Sequence, residues 1–299
     1  MLTIKSGFKV NVLDKNNRPN AVCRDGDTVV FETKDCFGNQ IESEEMLIDA
    51  LDWSNINPAT GPLFVEGAQT GDILKVEIIR IETADKGVMI DGPGEGVLKD
   101  IIKKPSTRIF EIGDGYVRFN DRLSFPVKPM IGVIGTAPAG KGISTGTPGP
   151  HGGNMDCKKI TEGATVYLPV NTEGALLAMG DLHAVMGDGE VGVCGVETAG
   201  RVTVKVTVLK NESLPLPFIL NGSEMMTVYS ALTADEALDK ATVRMHEFLT
   251  NKLSMNENEA NMLLSVAGDA KICQIVDPEK TARFEMPIEI AKAYGYEFP

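Results

Sequence analysis

Only three histidines occur in this chain, His151, His183 and His246, and two of them have neighbours suited to chemistry. His183 stands in Gly180-Asp181-Leu182-His183-Ala184. If residues 176–184 are extended, Asp181 and His183 share one face with the apolar Leu177 and Met179. A carboxylate and an imidazole emerging beside apolar surface need partners, and a divalent cation satisfies both. A plain hydrogen-bonded pair explains Asp-x-His equally well, so the motif gains weight only from its surroundings. Those surroundings are acidic: Gly187-Asp188-Gly189-Glu190 follows at once.

His151 ends a Gly- and Pro-rich stretch, 135–153, that is too long for a simple connector and reads as a functional loop. It leads into Gly152-Gly153-Asn154-Met155-Asp156. Together the two segments offer ligands for zinc or a harder cation, a base for water, and backbone N–H groups for an oxyanion.

Other chemistries compete. Cys157 adjoins Asp156, and a thiol nucleophile would draw on Glu190, Lys158 and Lys159. Ser144 with Lys141 loosely suggests a Ser–Ser–Lys site. Residues 135–142 nearly spell a phosphate-binding loop, but Gly142 replaces the required hydroxyl and no helix can open after it. His246 lies beside the apolar stripe of a helix and reads as a boundary residue.

The elements that must position these groups are mostly strands. β-branched runs recur at 27–33, 73–81, 131–134, 164–169, 191–196 and 202–209, separated by turn clusters. Residues 202–208 alternate with period two, as a half-buried strand should. From Thr233 the pattern becomes helical, with Thr233 and Glu236 as a capping box. Ser254 and Glu257 start a shorter helix that Gly268 stops, and strands return at 270–276 and 283–287. The expectation is a mainly β, sandwich- or barrel-like body over 1–215, with an α+β C-terminal region over 216–299 packed on it.

Composition narrows the partners. With 29 Lys plus Arg against 42 Asp plus Glu the net charge is −13, which repels nucleic acid. Five widely spaced cysteines without a C-x-x-C pair suggest neither a disulfide framework nor a thiolate zinc site. No apolar run is long enough to span a membrane, and MLTIKSGFKV lacks a secretory h-region, so a cytoplasmic protein is expected.

At these residues the sequence resembles the acetamidase/formamidase family along nearly its whole length. The resemblance is carried by residues 57–68, 70–72, 151–156 and 180–190, with Asp35-Cys36 and 265–269 as further family-like positions. Relatives commonly carry Gln ahead of the Gly-Asp-Gly-Glu block where this chain has Met186, a change that bears on substrate preference. Gln69-Thr70 stands for the usual Glu-Pro, a neutral loop change. The resemblance implies hydrolysis of short aliphatic amides to carboxylate and ammonia by a self-associating, β-rich protein, a homodimer or higher oligomer.

The combined expectation assigns Asp156, Asp181 and His183 to a divalent metal, zinc foremost and calcium next, with Asp35 as a further ligand or orienting carboxylate. Glu190 is the general base and then acid. His151, Asn154 and the Gly152–Gly153 backbone stabilise the oxyanion. A Cys157 thiol amidase and a non-catalytic β-scaffold that binds a small ligand are the alternatives.

Overall fold

In the computed structural model, which describes all 299 residues, two large β-sheets carry most of the chain. The alternating valines form strand Gly200–Leu209, with Val202, Val204, Val206 and Val208 buried. It lies between strands Thr28–Thr33 and Ile73–Thr83 in a nine-stranded sheet. Strand Leu177–His183 belongs to the second, eleven-stranded sheet, flanked by Met130–Gly135, Ala59–Val65 and Glu197–Thr198.

The largest core cluster joins Phe31, Leu74 and Val204 of the first sheet to Leu63, Ile134 and Met179 of the second. The body is therefore a sandwich, and each such side chain contributes about 1.5–3 kcal/mol on full burial. Period two sorts the faces of strand Thr165–Pro169: Val166 and Leu168 enter the sandwich core, whereas Tyr167 points to the opposite side. There it meets a second cluster, with Met245, Phe248 and Leu249, built on helices α1 (Ala234–Lys252), α2 (Glu257–Ala267) and α3 (Ile288–Ala293). No helix is long and apolar enough to cross a membrane.

The mainly β body and the α+β C-terminal part agree with the sequence pattern, but they share a sheet. Strands Phe218–Asn221, Glu224–Ala231, Lys280–Pro287 and Asp269–Gln274 extend the first sheet beyond Thr165–Pro169. The Thr233 cap forms, its Oγ1 accepting the Glu236 N–H at 3.3 Å. Helix α2 starts later than expected. Asn256, an equally good cap, accepts the Asn258 N–H at 3.0 Å, while Ser254 stays outside the helix at φ 53°. Residues 191–196 are not the expected strand. Val193 turns to φ 78° and donates to Glu190 O at 3.0 Å, so this apolar run packs as a loop.

Candidate active site

Strand Leu177–His183 is buried along its whole length, so the polar groups at its end cannot be satisfied by bulk water. His183 Nε2 stands 3.0 Å from Glu197 Oε1, 3.5 Å from Asp181 Oδ1, 3.7 Å from Asp156 Oδ1 and 3.8 Å from Glu190 Oε1. Four carboxylates thus converge on one buried imidazole. Asp156, Asp181 and Glu190 all have left-handed backbone, at φ 42°, 58° and 49°. Each such residue costs on the order of 1–3 kcal/mol, and strain of this kind gathers at functional sites.

Gly132 makes the convergence possible. The register of Met130–Gly135 against Leu177–His183 sets it opposite Asp181, while the Met155 and Asp156 N–H groups both donate to its carbonyl. A Cβ at 132 would come within 3.0 Å of Asp156 Oδ1 and Asp181 Oδ2. On the far side of the imidazole, His183 Nδ1 lies 3.2 Å from Met186 Sδ. A proton on Nδ1 facing the thioether leaves Nε2 to meet the carboxylates, as an N–H donor when the ring is charged or as a ligand when a cation is bound. Met186 therefore touches the histidine ring and is not part of the cavity wall.

Burial pushes the carboxyls of Asp156 and Glu190 well above the usual range, and repulsion, first from Asp181 and from Asp156 respectively, adds to it. Burial likewise takes Glu197 up to about 7 against the pull of His183. Burial disfavours charge on His183, but Glu197 and Asp181 outweigh it and hold its pKa well above the ordinary value. Asp156 Oδ1, Glu197 Oε2 and Asn154 Oδ1 are buried without hydrogen-bond partners. Unpaired buried oxygens around one imidazole nitrogen are the donor set a divalent cation takes, so the residues fit the expected metal.

The carboxylates open on a cavity of about 170 Å³, with Asn57, Asn154, Asp156, Asp181, Glu190, Glu197 and Asp277 as its polar lining. Phe37, Trp53, Ile56, Ile90 and Val193 supply apolar side chains to the same cavity. A larger cleft of about 240 Å³, between Leu98, Ile102, Phe110 and Phe119, is mainly apolar and contains no histidine or cysteine.

Of the residues singled out from the sequence, Asn154, Asp156, Asp181, His183 and Glu190 come together here. Asn154 Nδ2 donates to Asp277 Oδ2 at 2.9 Å, which uses one of its two N–H groups, and Oδ1 is left as an acceptor without a partner. His151 is buried but does not line the cavity. Its ring lies against Gly149 and Gly153, neither nitrogen has a partner, and burial lowers its pKa to about 4. Asp35 is also outside the lining; its Oδ1 accepts the Asn39 N–H at 2.7 Å, and burial raises its pKa. The Gly152 N–H donates to Gly149 O at 3.1 Å and so is not free for an oxyanion.

Glu197, Asp277 and Cys36 were not apparent from spacing. Cys36 brings its sulfur within 4.8 Å of carboxylate oxygens on Asp181 and Glu197; its only sequence signal was the family-like Asp35-Cys36. Cys157 belongs to the sandwich core beside Cys273 and does not line the cavity. Lys158 pairs with Asp188, and Lys159 with Glu224 and Glu285. Of the residues in the thiol scheme, only Glu190 lines the cavity. Ser144 and Lys141 are exposed, and the Ser144 hydroxyl accepts the Gly146 N–H at 3.3 Å. His246 is half-buried, 3.1 Å from Glu257 O.

Comparisons with known proteins show which chains this one is similar to. A crystal structure of an acetamidase from Bacillus halodurans is similar with a TM-score of 0.98 and 49% identity, covering 99% of this chain and all of that one. A structure from Thermoanaerobacter tengcongensis, described as a predicted acetamidase/formamidase, gives 0.97 and 47%, covering 99% of both chains. The formamidase of Methylophilus methylotrophus is 25% identical over 90% of this chain and 86% of its own length. The chain spans only 60% and 63% of two other curated relatives. The Acetamidase/Formamidase family model matches residues 13–145 and 138–293, and the chain belongs to that family.

Proposed function

We propose that the protein is an amidase that cleaves the C–N bond of small linear carboxamides, releasing a carboxylate and ammonia. The observation that carries this reading is the set of four buried carboxylates around His183 Nε2, in a cavity of a family member. Asp156, Asp181 and His183 would hold a divalent cation, and the mixed imidazole and carboxylate donors favour zinc, with calcium as the harder alternative. Such an ion supplies Lewis acidity and an acidified water when bound.

The remaining chemistry belongs to the chain. Glu190, with its raised pKa, takes the proton of the attacking water as the oxygen adds to the carbonyl carbon. It then gives that proton to the amide nitrogen as the C–N bond breaks, a role worth roughly 10²–10⁴-fold. Asn154 Oδ1 accepts from the substrate NH₂ group and orients the leaving nitrogen. Glu197 fixes His183 from the side, and Asp35 orients the 35–39 turn. His151 supports the Gly149–Gly153 loop from behind and does not donate to the oxyanion.

Five free, buried cysteines suit a reducing compartment, and we place the protein in the cytoplasm. Exposed Tyr116, Leu123 and Phe125 on the edge hairpin of the larger sheet support a homo-oligomer. Metal analysis of purified protein, with ammonia release from an amide panel before and after chelation, tests the reading. Activity that survives complete metal removal discards the cation, and a protein that binds amides without releasing ammonia discards the enzyme.

A further inference from the structure

The apolar wall of the cavity takes no part in that chemistry, yet it is deliberately built. Trp53, the only tryptophan, is 54% exposed at the rim. A large aromatic left half in water beside buried acids marks a place where something binds. It rides a short 3₁₀ turn, Trp53–Asn55, that Asp52 ties down by accepting from Ser54 N at 3.0 Å and Ser54 Oγ at 2.6 Å. The turn is joined to the Phe37 loop. Asn57 N donates to Cys36 O at 2.7 Å, and Asp52 N donates to Gln40 Oε1 at 2.8 Å. Two short loops thus bring Phe37, Trp53 and Ile56 into the lining of the cavity that holds the carboxylates, as one platform.

We propose that Trp53, Phe37 and Ile56 form an acyl subsite that selects uncharged primary amides with an apolar chain of three or four carbons over formamide. The inference rests on the amidase reading above. Taking about 30 Å³ per water-sized group, a cavity of about 170 Å³ holds between five and six of them, whereas formamide has three heavy atoms and in this reading stops short of the platform. Propionamide and butyramide reach it. No Lys or Arg lines the cavity, so an amide with an anionic chain is repelled by the acid wall.

Ammonia release by the purified enzyme is measured across formamide, acetamide, propionamide, butyramide and succinamate, for wild type, Trp53→Ala and Trp53→Phe. Each carbon laid on the platform raises kcat/KM by about fourfold, and succinamate falls far below butyramide. Trp53→Ala flattens the series, with a loss that grows from formamide to butyramide, and Trp53→Phe recovers most of the slope. A series that declines from formamide onward, or a Trp53→Ala loss equal for every amide, overturns the subsite. If no amide releases ammonia, the amidase reading fails on its own, and the emission of the single tryptophan still decides the subsite. A saturable change with butyramide but not formamide supports it; no change with either overturns it.

Discussion

Arg283 lays its guanidinium on Asp188 through two parallel bonds, Nη1–Oδ1 at 2.8 Å and Nη2–Oδ2 at 2.9 Å. The arginine is 1% exposed and lies on a C-terminal strand, whereas Asp188 stands two residues before Glu190. Nε donates to Glu285 at 2.6 Å and Nη1 to Ile272 O at 2.9 Å, which locks the guanidinium in place. Burial would raise the Asp188 pKa, but the Arg283 hydrogen bonds and charge overrule it and keep the carboxyl ionised. The main chain follows the same path, with Gly189 N donating to Cys273 O at 2.8 Å. The turn that carries Glu190 is therefore bolted to the C-terminal sheet.

Stranding one charge of a buried pair costs about 3–5 kcal/mol, but without Arg283 the carboxylates keep lysine partners, Lys158 on Asp188 and Lys271 on Glu285. Arg283→Met is expected to lower the urea midpoint, by less than full stranding would. Arg283→Lys keeps a charge but loses the planar fork, so it recovers most of the stability while kcat stays depressed and KM is little changed. A lysine variant with wild-type kcat would make Arg283 an anchor of the fold and nothing more.

Gly132 offers a second handle. Alanine at this position pushes its Cβ into the Asp156 and Asp181 carboxylates and within 3.0 Å of the Asp181 carbonyl oxygen, so the facing strand must give a little as well. Gly132→Ala is expected to fold and to lose cation binding, with kcat/KM down by about 10² or more for displacement of these groups by an ångström. Calorimetric titration with zinc checks the first expectation and ammonia release the second. Tight binding by this variant would remove both aspartates from the ligand set.

How much of this was legible before folding depends on the range of the interactions. The valine alternation at 202–208 and the Thr233 cap are local, and both appear as read. Asp181 and His183 are two residues apart, so their pairing too was visible in the sequence. Glu197 reaches the site only because strand pairing sets it opposite His183, and Asp277 only because Gln274 bridges to Gly189. Neither pairing leaves a mark on spacing. His151 misleads for the opposite reason: its glycine-rich context, a signal of access, lets the ring fold back onto Gly149 and Gly153.

Glu190 is expected to carry the proton transfers. Glu190→Gln keeps the shape and removes the base, so kcat should fall by about 10²–10⁴ with KM within a few-fold. Rapid-quench turnover with acetamide measures the step directly. A loss below tenfold would hand the role to Glu197, a cavity carboxyl raised to about 7.

Stability should depend on pH in a direction set by these acids. Asp156, Glu190 and Asp277 are held well above the usual carboxylate range, and Glu197 at about 7. Without a cation, the native state keeps protons that the unfolded chain releases from roughly pH 4 upward, so stability falls as pH rises. For Glu197, the rise from 4.5 to about 7 corresponds to about 3 kcal/mol, lost by the time pH passes the folded value. The raised pKa of His183 acts with the same sign, because the stabilising imidazolium is lost as pH climbs through its folded value. Chelated protein is therefore expected to melt at progressively lower temperature between about pH 5 and pH 8, and a divalent cation should restore far more at the upper end. Differential scanning fluorimetry with and without chelator gives the comparison. Equal stability of the chelated protein across that range would mean that the cavity carboxylates are neutralised by some group other than a cation.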